Sequence, residues 1–350
     1  MSTFPEMGAE RQESGAILEN ATPLNTRVGT VILGRMDFLS VLLRLIGMEL
    51  YKIRRRMMSR VLVSLAILLA LFVPLAVGVE LVISQNTPAS QFAPFCQQMH
   101  CPADVPGQAR QAAQAALSGP LRLPEALQLA TTQNELNLAA VLVIILVGSI
   151  AGGEISVGTA RMMFTRGPWR GQFLLAKYGA ALVCTIFGVL IMALAGVVVG
   201  QLLNLLSGVP QNLDFLSAAW VGHALLYLLA TMLNWFMYAV IAVFFGVLGR
   251  STVAGVVGAL TWFFAEPILS NILTIAGNFS PGGAGMLLHA LPGYLLGNNA
   301  RALQLNQTPY LFGGSAASQT NLQAVITLII YMAIFIGLTW WLNESRDVTN

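Results

Sequence analysis

Few side chains in this sequence can do chemistry, and their spacing narrows what they can do. The three histidines, His100, His223 and His289, are far apart. No Ser/His/Asp order and no His-Glu-x2-His run accompanies them, so neither covalent catalysis nor a zinc-hydrolase site is supported. Cys96, His100 and Cys101 fall within six residues. They could begin a metal site, but a complete one needs further ligands and none stands out. The spacing of Cys96 and Cys101 fits better a small disulfide loop in an oxidising compartment. The chain has only two lysines, Lys52 and Lys177, and neither follows a glycine. The Gly-x4-Gly-Lys loop that cradles nucleotide phosphates is therefore missing.

The elements around these residues are apolar. Of 350 residues, 56% are hydrophobic and 9% charged, and the mean hydropathy is +0.72. Soluble domains carry about 25% charged residues, so this chain lacks the polar surface to face water all round. It reads as an all-α polytopic membrane protein. Six apolar runs each offer about the length that crosses a bilayer: residues 61–83, 136–151, 173–206, 220–248, 253–272 and 322–342. Pro74 can kink the first, and Gly196 and Gly200 give the third a small-x3-small pair suited to close helix contact. Residues 38–60 come before them. Phe38, Leu42, Leu45 and Ile53 share one helical arc there, which predicts an interfacial helix lying in the membrane plane. Glu49 spoils that arc, and Lys52, one turn on, can pair with it.

Cations set the orientation. Arg11, Arg27, Arg35, Arg44, Lys52, Arg54, Arg55, Arg56, Arg60, Arg161, Arg166, Arg170, Lys177, Arg250 and Arg346 lie on one predicted side, and Arg110, Arg122 and Arg301 on the other. By the positive-inside rule the first side is cytoplasmic. Residues 1–37 and 343–350 are then cytoplasmic tails, and both termini face inward across the cell membrane. Residues 84–135 form a large outer insertion with short helices expected over 108–117 and from Pro124. Residues 277–320 form an outer segment whose apolar stretch, 286–296, is too short to span and reads as interfacial or re-entrant. Two polar side chains remain inside spans as candidates for a translocation path, Asn234 and Glu266. Glu266 could meet a cationic group of a substrate or carry a proton. Yet it stands roughly 21 Å above the inner turn at about 1.5 Å per residue. A hydrated carboxylate at the outer end is the plainer reading, with Pro267 breaking the helix.

Between the second and third runs lies Glu154-x3-Gly158-Thr159-x-Arg161-x4-Arg166-x-Pro168-x-Arg170-x6-Lys177. Thr159 can cap a short helix, and Gly167-Pro168 would end it. In its order and its place after an apolar span, this pattern is similar to the coupling loop of ABC-2-type transporter permeases. Met48-Glu-Leu-Tyr-Lys-Ile-Arg resembles the elbow helix that precedes the first span in the same family. The resemblance extends over residues 38–342.

It implies six transmembrane helices behind an interfacial elbow helix, the ABC-2 (type V exporter-like) architecture, with a coupling loop over 154–172. It implies contact with a separate ATP-binding subunit through Gly158, Thr159, Arg161, Met162, Arg166, Trp169 and Arg170. Glu154 is expected to hold the loop to the base of the bundle through the elbow-helix cations. The implied assembly has two permease copies, identical or related, and two ATPases, and it works by alternating access, as an exporter more often than an importer. ATP and Mg would belong to the partner, so this chain needs no cofactor and is no enzyme by itself. The bilayer is its other partner, and no nucleic acid is expected. The rival readings are a secondary transporter or channel, a membrane-embedded enzyme, and an anchor or sensor that uses the same fold without ATP.

Overall fold

The structure, a computed structural model, describes residues 38–86, 114–115, 117–121, 123–132, 137–156, 170–207 and 215–345. The chain divides into two compact units, Met1–Val41 and Leu42–Asn350. Of the first, only residues 38–41 are described, and the helical bundle belongs to the second. Among the described residues every regular element is helical.

Helix α1 (Phe38–Arg55) is followed after one residue, Arg56, by α2 (Met57–Asn86), which runs unbroken through Pro74. A short helix α3 (Glu125–Thr132) begins just after Pro124, where the missing N–H of proline costs nothing. The apolar helices α4 (Leu138–Ser156), α5 (Arg170–Ser207), α6 (Ala218–Leu248) and α7 (Thr252–Phe279) come next. Two shorter helices, α8 (Gly283–Ala290) and α9 (Leu296–Leu305), lead toward the last long one, α10 (Asn321–Ser345).

Five stretches are long and apolar enough to cross a membrane: Met57–Ile83, Arg170–Leu202, Ala218–Leu248, Thr252–Phe279 and Asn321–Ser345. They mark a multi-pass membrane protein. The apolar stretch of α4, Leu138–Glu154, is shorter. At about 1.5 Å per residue it covers roughly 25 Å, against a hydrocarbon core of about 30 Å.

Helix α6 is the centre of the bundle. It packs against α4, α5, α7, α9 and α10, and Trp235, Met237 and Ala239 through Val243 are buried on all sides. A helix apolar all round belongs in such a place. Ser217 and Ser251 cap α6 and α7 by accepting from the amides of Trp220 and Ala254. The tight turn between these helices puts Arg250 in the left-handed region, at φ 49°.

Helices α4, α6 and α7 meet along a glycine seam. A Cβ on Gly148 would lie 2.9 Å from the backbone of Gly255, and one on Gly255 would lie 3.1 Å from Gly246 Cα and 2.8 Å from Gly148 O. One on Gly152 would overlap Ser251 O. Only hydrogen at these positions lets the three backbones touch. The sequence displays this pair, Gly148-x3-Gly152, as plainly as Gly196 and Gly200. Gly200 instead lies under Ala126 of α3.

One expectation is corrected. Pro267 does not break α7, which continues to Phe279. Bonds on both sides of the proline hold the helix through it: Gly297 N and Trp262 Nε1 donate to Glu266, and Asn298 Nδ2 donates to Ser270 Oγ at 3.0 Å. Burial is uneven within segment 277–320. Met286 and Leu287 on α8 are exposed, whereas Leu296, Asn299, Ala300 and Gln304 on the more polar α9 are buried. Burial is tolerable there because the amides have partners. Asn299 Nδ2 donates to Gly293 O and Leu295 O, and Gln304 Nε2 donates to Thr231 Oγ1 at 2.8 Å.

Candidate functional site: an ionic clamp at the ends of α1, α4 and α5

The chain's two lysines meet at one place. Lys52 sits on the inward side of α1, one turn after Glu49. Glu154 ends the apolar stretch of α4, and Lys177 lies two turns into α5. Glu154 bridges the lysines: Oε1 is 2.7 Å from Lys52 Nζ and Oε2 is 2.7 Å from Lys177 Nζ. Glu49 Oε1 stands 3.3 Å from Lys52 Nζ and 3.8 Å from Lys177 Nζ. Two carboxylates and two ammonium groups thus balance. Glu49, Glu154 and Lys177 are 2%, 5% and 3% exposed. Glu49 Oε2 is buried with no hydrogen-bond partner.

Local sequence explains the assembly. The glutamate that spoils the apolar arc of α1 is, with Leu45, a buried residue of that helix, turned toward the lysines. α1 meets α5 where a Cβ on Gly179 would come 2.5 Å from Ile46 Cδ1. That close approach brings Lys52 and Lys177 onto one carboxylate. The Phe173 ring lies 4.5 Å from Lys177 Nζ and adds the attraction of its π-face to a desolvated cation. Burial alone would lower the Lys52 pKa. The hydrogen bond to Glu154 and the charges of Glu49 and Glu154 outweigh it and hold Lys52 above its ordinary value.

The two ends of the segment 157–169 are tied to different helices. On the α4 side, besides the clamp, Arg56 Nη1 reaches Ser149 O at 3.5 Å and lies over Gly153. On the α5 side, Arg170 Nη1 donates to Glu344 O at 3.3 Å and Asn343 Nδ2 donates to Arg170 O at 3.2 Å. Gly171 lies against the Trp340 ring. The described chain thus leaves α4 beside α1 and resumes at Arg170 beside α10.

Of the other predicted residues, Gly158, Thr159, Arg161, Met162, Arg166, Trp169, Cys96 and Cys101 lie outside the described residues. Glu266 is not a hydrated outer carboxylate. It is 7% exposed and accepts from Gly297 N at 2.5 Å and Trp262 Nε1 at 3.0 Å. It is buried because it caps the first turn of α9 from outside that helix, where free amides favour an anion. Asn234 is buried on α6, and its Oδ1 has no partner.

Sequence reasoning missed a buried polar chain linking α3 to the core. Tyr227 Oη pairs with Thr131 Oγ1 at 3.0 Å, Thr231 Oγ1 donates to Tyr227 O, and Gln304 closes on Thr231. Nearby His223 bonds to Gln307 Oε1 at 2.9 Å and stacks on Tyr310. The concentration of amides over residues 298–307 was the available signal.

Chemically the clamp is a fastener. Both Glu154 oxygens are engaged by ammonium groups, and the neighbouring cavity, about 10 Å³ beside Lys177 and Cys184, has room for one water at most. Among the described residues no group of three or more His, Cys, Asp or Glu could hold a metal. No curated protein matches the chain. A family profile matches residues 115–349, which include Glu154, Lys177 and Glu266. On that match the chain belongs to the family described as protein of unknown function DUF2705.

Proposed function

We propose that this protein is the permease subunit of an ATP-driven ABC-2-type transporter, most simply an exporter. In this reading α4 is the second of six spans, α1 is the elbow helix, and segment 157–169 docks on a separate ATP-binding subunit. A second permease copy completes the path, and both termini face the cytoplasm. One observation carries the reading: Glu154, at the foot of α4, joins Lys52 of α1 to Lys177 of α5 with both carboxylate oxygens. A push on a loop that begins at Glu154 then reaches three helices together instead of being lost in a flexible connection. The missing phosphate-binding loop supports an ATPase on another chain.

The test is purification of the tagged protein from its own cells in mild detergent, with identification of the chains that accompany it. A near-stoichiometric P-loop ATPase, released when Gly158-Thr159 is replaced by bulky or acidic residues, is the expected result. Stable purification with no ATPase, under conditions that keep other such complexes whole, overturns the proposal and leaves a channel, secondary transporter or anchor.

A further inference from the structure

The lysines and arginines at the start of the bundle are used differently. The ion pairs of the clamp are all made by lysines, and they consume Glu49 and Glu154. The arginines of the α1–α2 junction receive no carboxylate from them. Arg56 turns inward to Ser149 O, but Arg54, Arg55 and Arg60 are exposed. Arg60 Nε donates to the Arg54 carbonyl at 3.4 Å, so its guanidinium folds back over the end of α1. Arg55 Nε donates to Tyr51 Oη at 3.2 Å, with its guanidinium 5.3 Å from the ring centre. These contacts hold two arginines in place while leaving most of their N–H donors unused.

A stripe of exposed apolar side chains begins on α2 at this junction. Met57, Val61, Leu65, Leu68 and Phe72 are all exposed, and at about 100° per residue they fall within roughly 80° of one another on α2. Cations with spare donors stand above an apolar track that runs down a membrane-crossing helix. That is the layout of a phospholipid, with its phosphate at one end and acyl chain at the other. Guanidinium forks suit phosphate oxygens, and uncompensated cations beside a bilayer favour anionic lipid by about 1 kcal/mol each, or roughly fivefold.

We infer that Arg54, Arg55 and Arg60, with the Met57–Phe72 stripe of α2, form a binding site for an anionic phospholipid. The headgroup phosphate is held at the α1–α2 junction, and one acyl chain lies along α2. The site needs no ATPase and does not depend on the transporter reading.

The test uses the full protein in phosphatidylcholine vesicles with a trace of spin-labelled phosphatidylglycerol or phosphatidylcholine. The fraction of motionally restricted label gives the relative affinity. The expected result is at least about fivefold preference for phosphatidylglycerol. It should fall toward unity in Arg54→Gln/Arg55→Gln/Arg60→Gln and remain in Arg44→Gln, a cation earlier on α1. In the unaltered protein, about 1 M salt, where the Debye length is only about 3 Å, should also suppress it, which separates charge recognition from misfolding of the variant. No preference in the native protein, or one that survives the triple replacement, refutes the site. Displacement of the labelled lipid by glycerol phosphate alone would reassign the arginines to a soluble phosphate compound and overturn the lipid assignment.

Discussion

Replacing Glu154 with glutamine removes one charge from a cluster that is neutral only as a whole. Of its two carboxylate partners Lys177, 3% exposed, would keep Glu49, with Oε1 at 3.8 Å. At an effective dielectric of about 20, an ion pair is worth about 6 kcal/mol at 2.7 Å and about 4 kcal/mol at 3.8 Å, before desolvation is subtracted. Removing one partner of a buried pair costs about 3–5 kcal/mol, because the other charge is stranded. We expect Glu154→Gln to lose about 3 kcal/mol, the low end, since the amide oxygen still accepts one hydrogen bond. Lys177→Met should lose a similar amount. Lys52→Met should lose about 1 kcal/mol, because the Lys52 side chain is 32% exposed and water can take its place. The Glu154→Gln/Lys177→Met double variant tests the reasoning: it removes both charges, so its loss should fall short of the sum by about 2 kcal/mol or more. Reversible unfolding in mixed micelles, followed by far-ultraviolet circular dichroism, measures all four proteins. Additivity within about 0.5 kcal/mol would show that Glu154 and Lys177 do not depend on each other.

The raised pKa of Lys52 sets the sign of a pH effect. Its contribution is complete below the unfolded lysine value of about 10.4 and is lost as pH rises through the folded value. The stability difference between native protein and Lys52→Met should therefore stay level from neutral pH to about 10 and shrink above it, as the same unfolding measured along a pH series will show. Gly152→Ala would place a methyl group against the Ser251 carbonyl and should cost about 1–3 kcal/mol. Gly47→Ala, with open space around it, should cost nothing and can gain up to about 1 kcal/mol; thermal unfolding of the pair checks both. Glu266→Ala strips the outside cap from α9 and should cost about 1–3 kcal/mol. It should also speed hydrogen exchange over residues 296–305, and unchanged exchange there would remove Glu266 as the cap.

Much of the fold is legible in the sequence because membrane helices announce themselves by length. The α6–α7 turn is also explicit, as Gly249, Arg250 and the capping Ser251 interrupt two apolar runs. The site is harder. Glu49 looks like a flaw in an amphipathic helix, because a one-helix projection cannot show a charge supplied by another helix. Lys177 counts as an orienting cation in the sequence, although it lies within α5 and is buried, since cation counting carries no depth. The height of Glu266 follows from helical rise, but its burial depends on α9, which approaches from 30 residues further along. Gly148 and Gly152 escape notice beside Gly196 and Gly200 because spacing identifies a small-residue pair and says nothing of the neighbour it meets.

The glycine seam also has a mechanical meaning. Helices joined by interdigitated side chains can slide a little, since rotamers yield. Where Gly148, Gly246 and Gly255 put main chain on main chain, nothing can yield, and the joined helices shift as a block. Helices α4, α6 and α7 then act as one stiff strut, and Glu154 stands at its foot. A force applied at that foot would pass along the strut undiminished, and the compliance of the protein would lie in the helices around it, α2, α5 and α10.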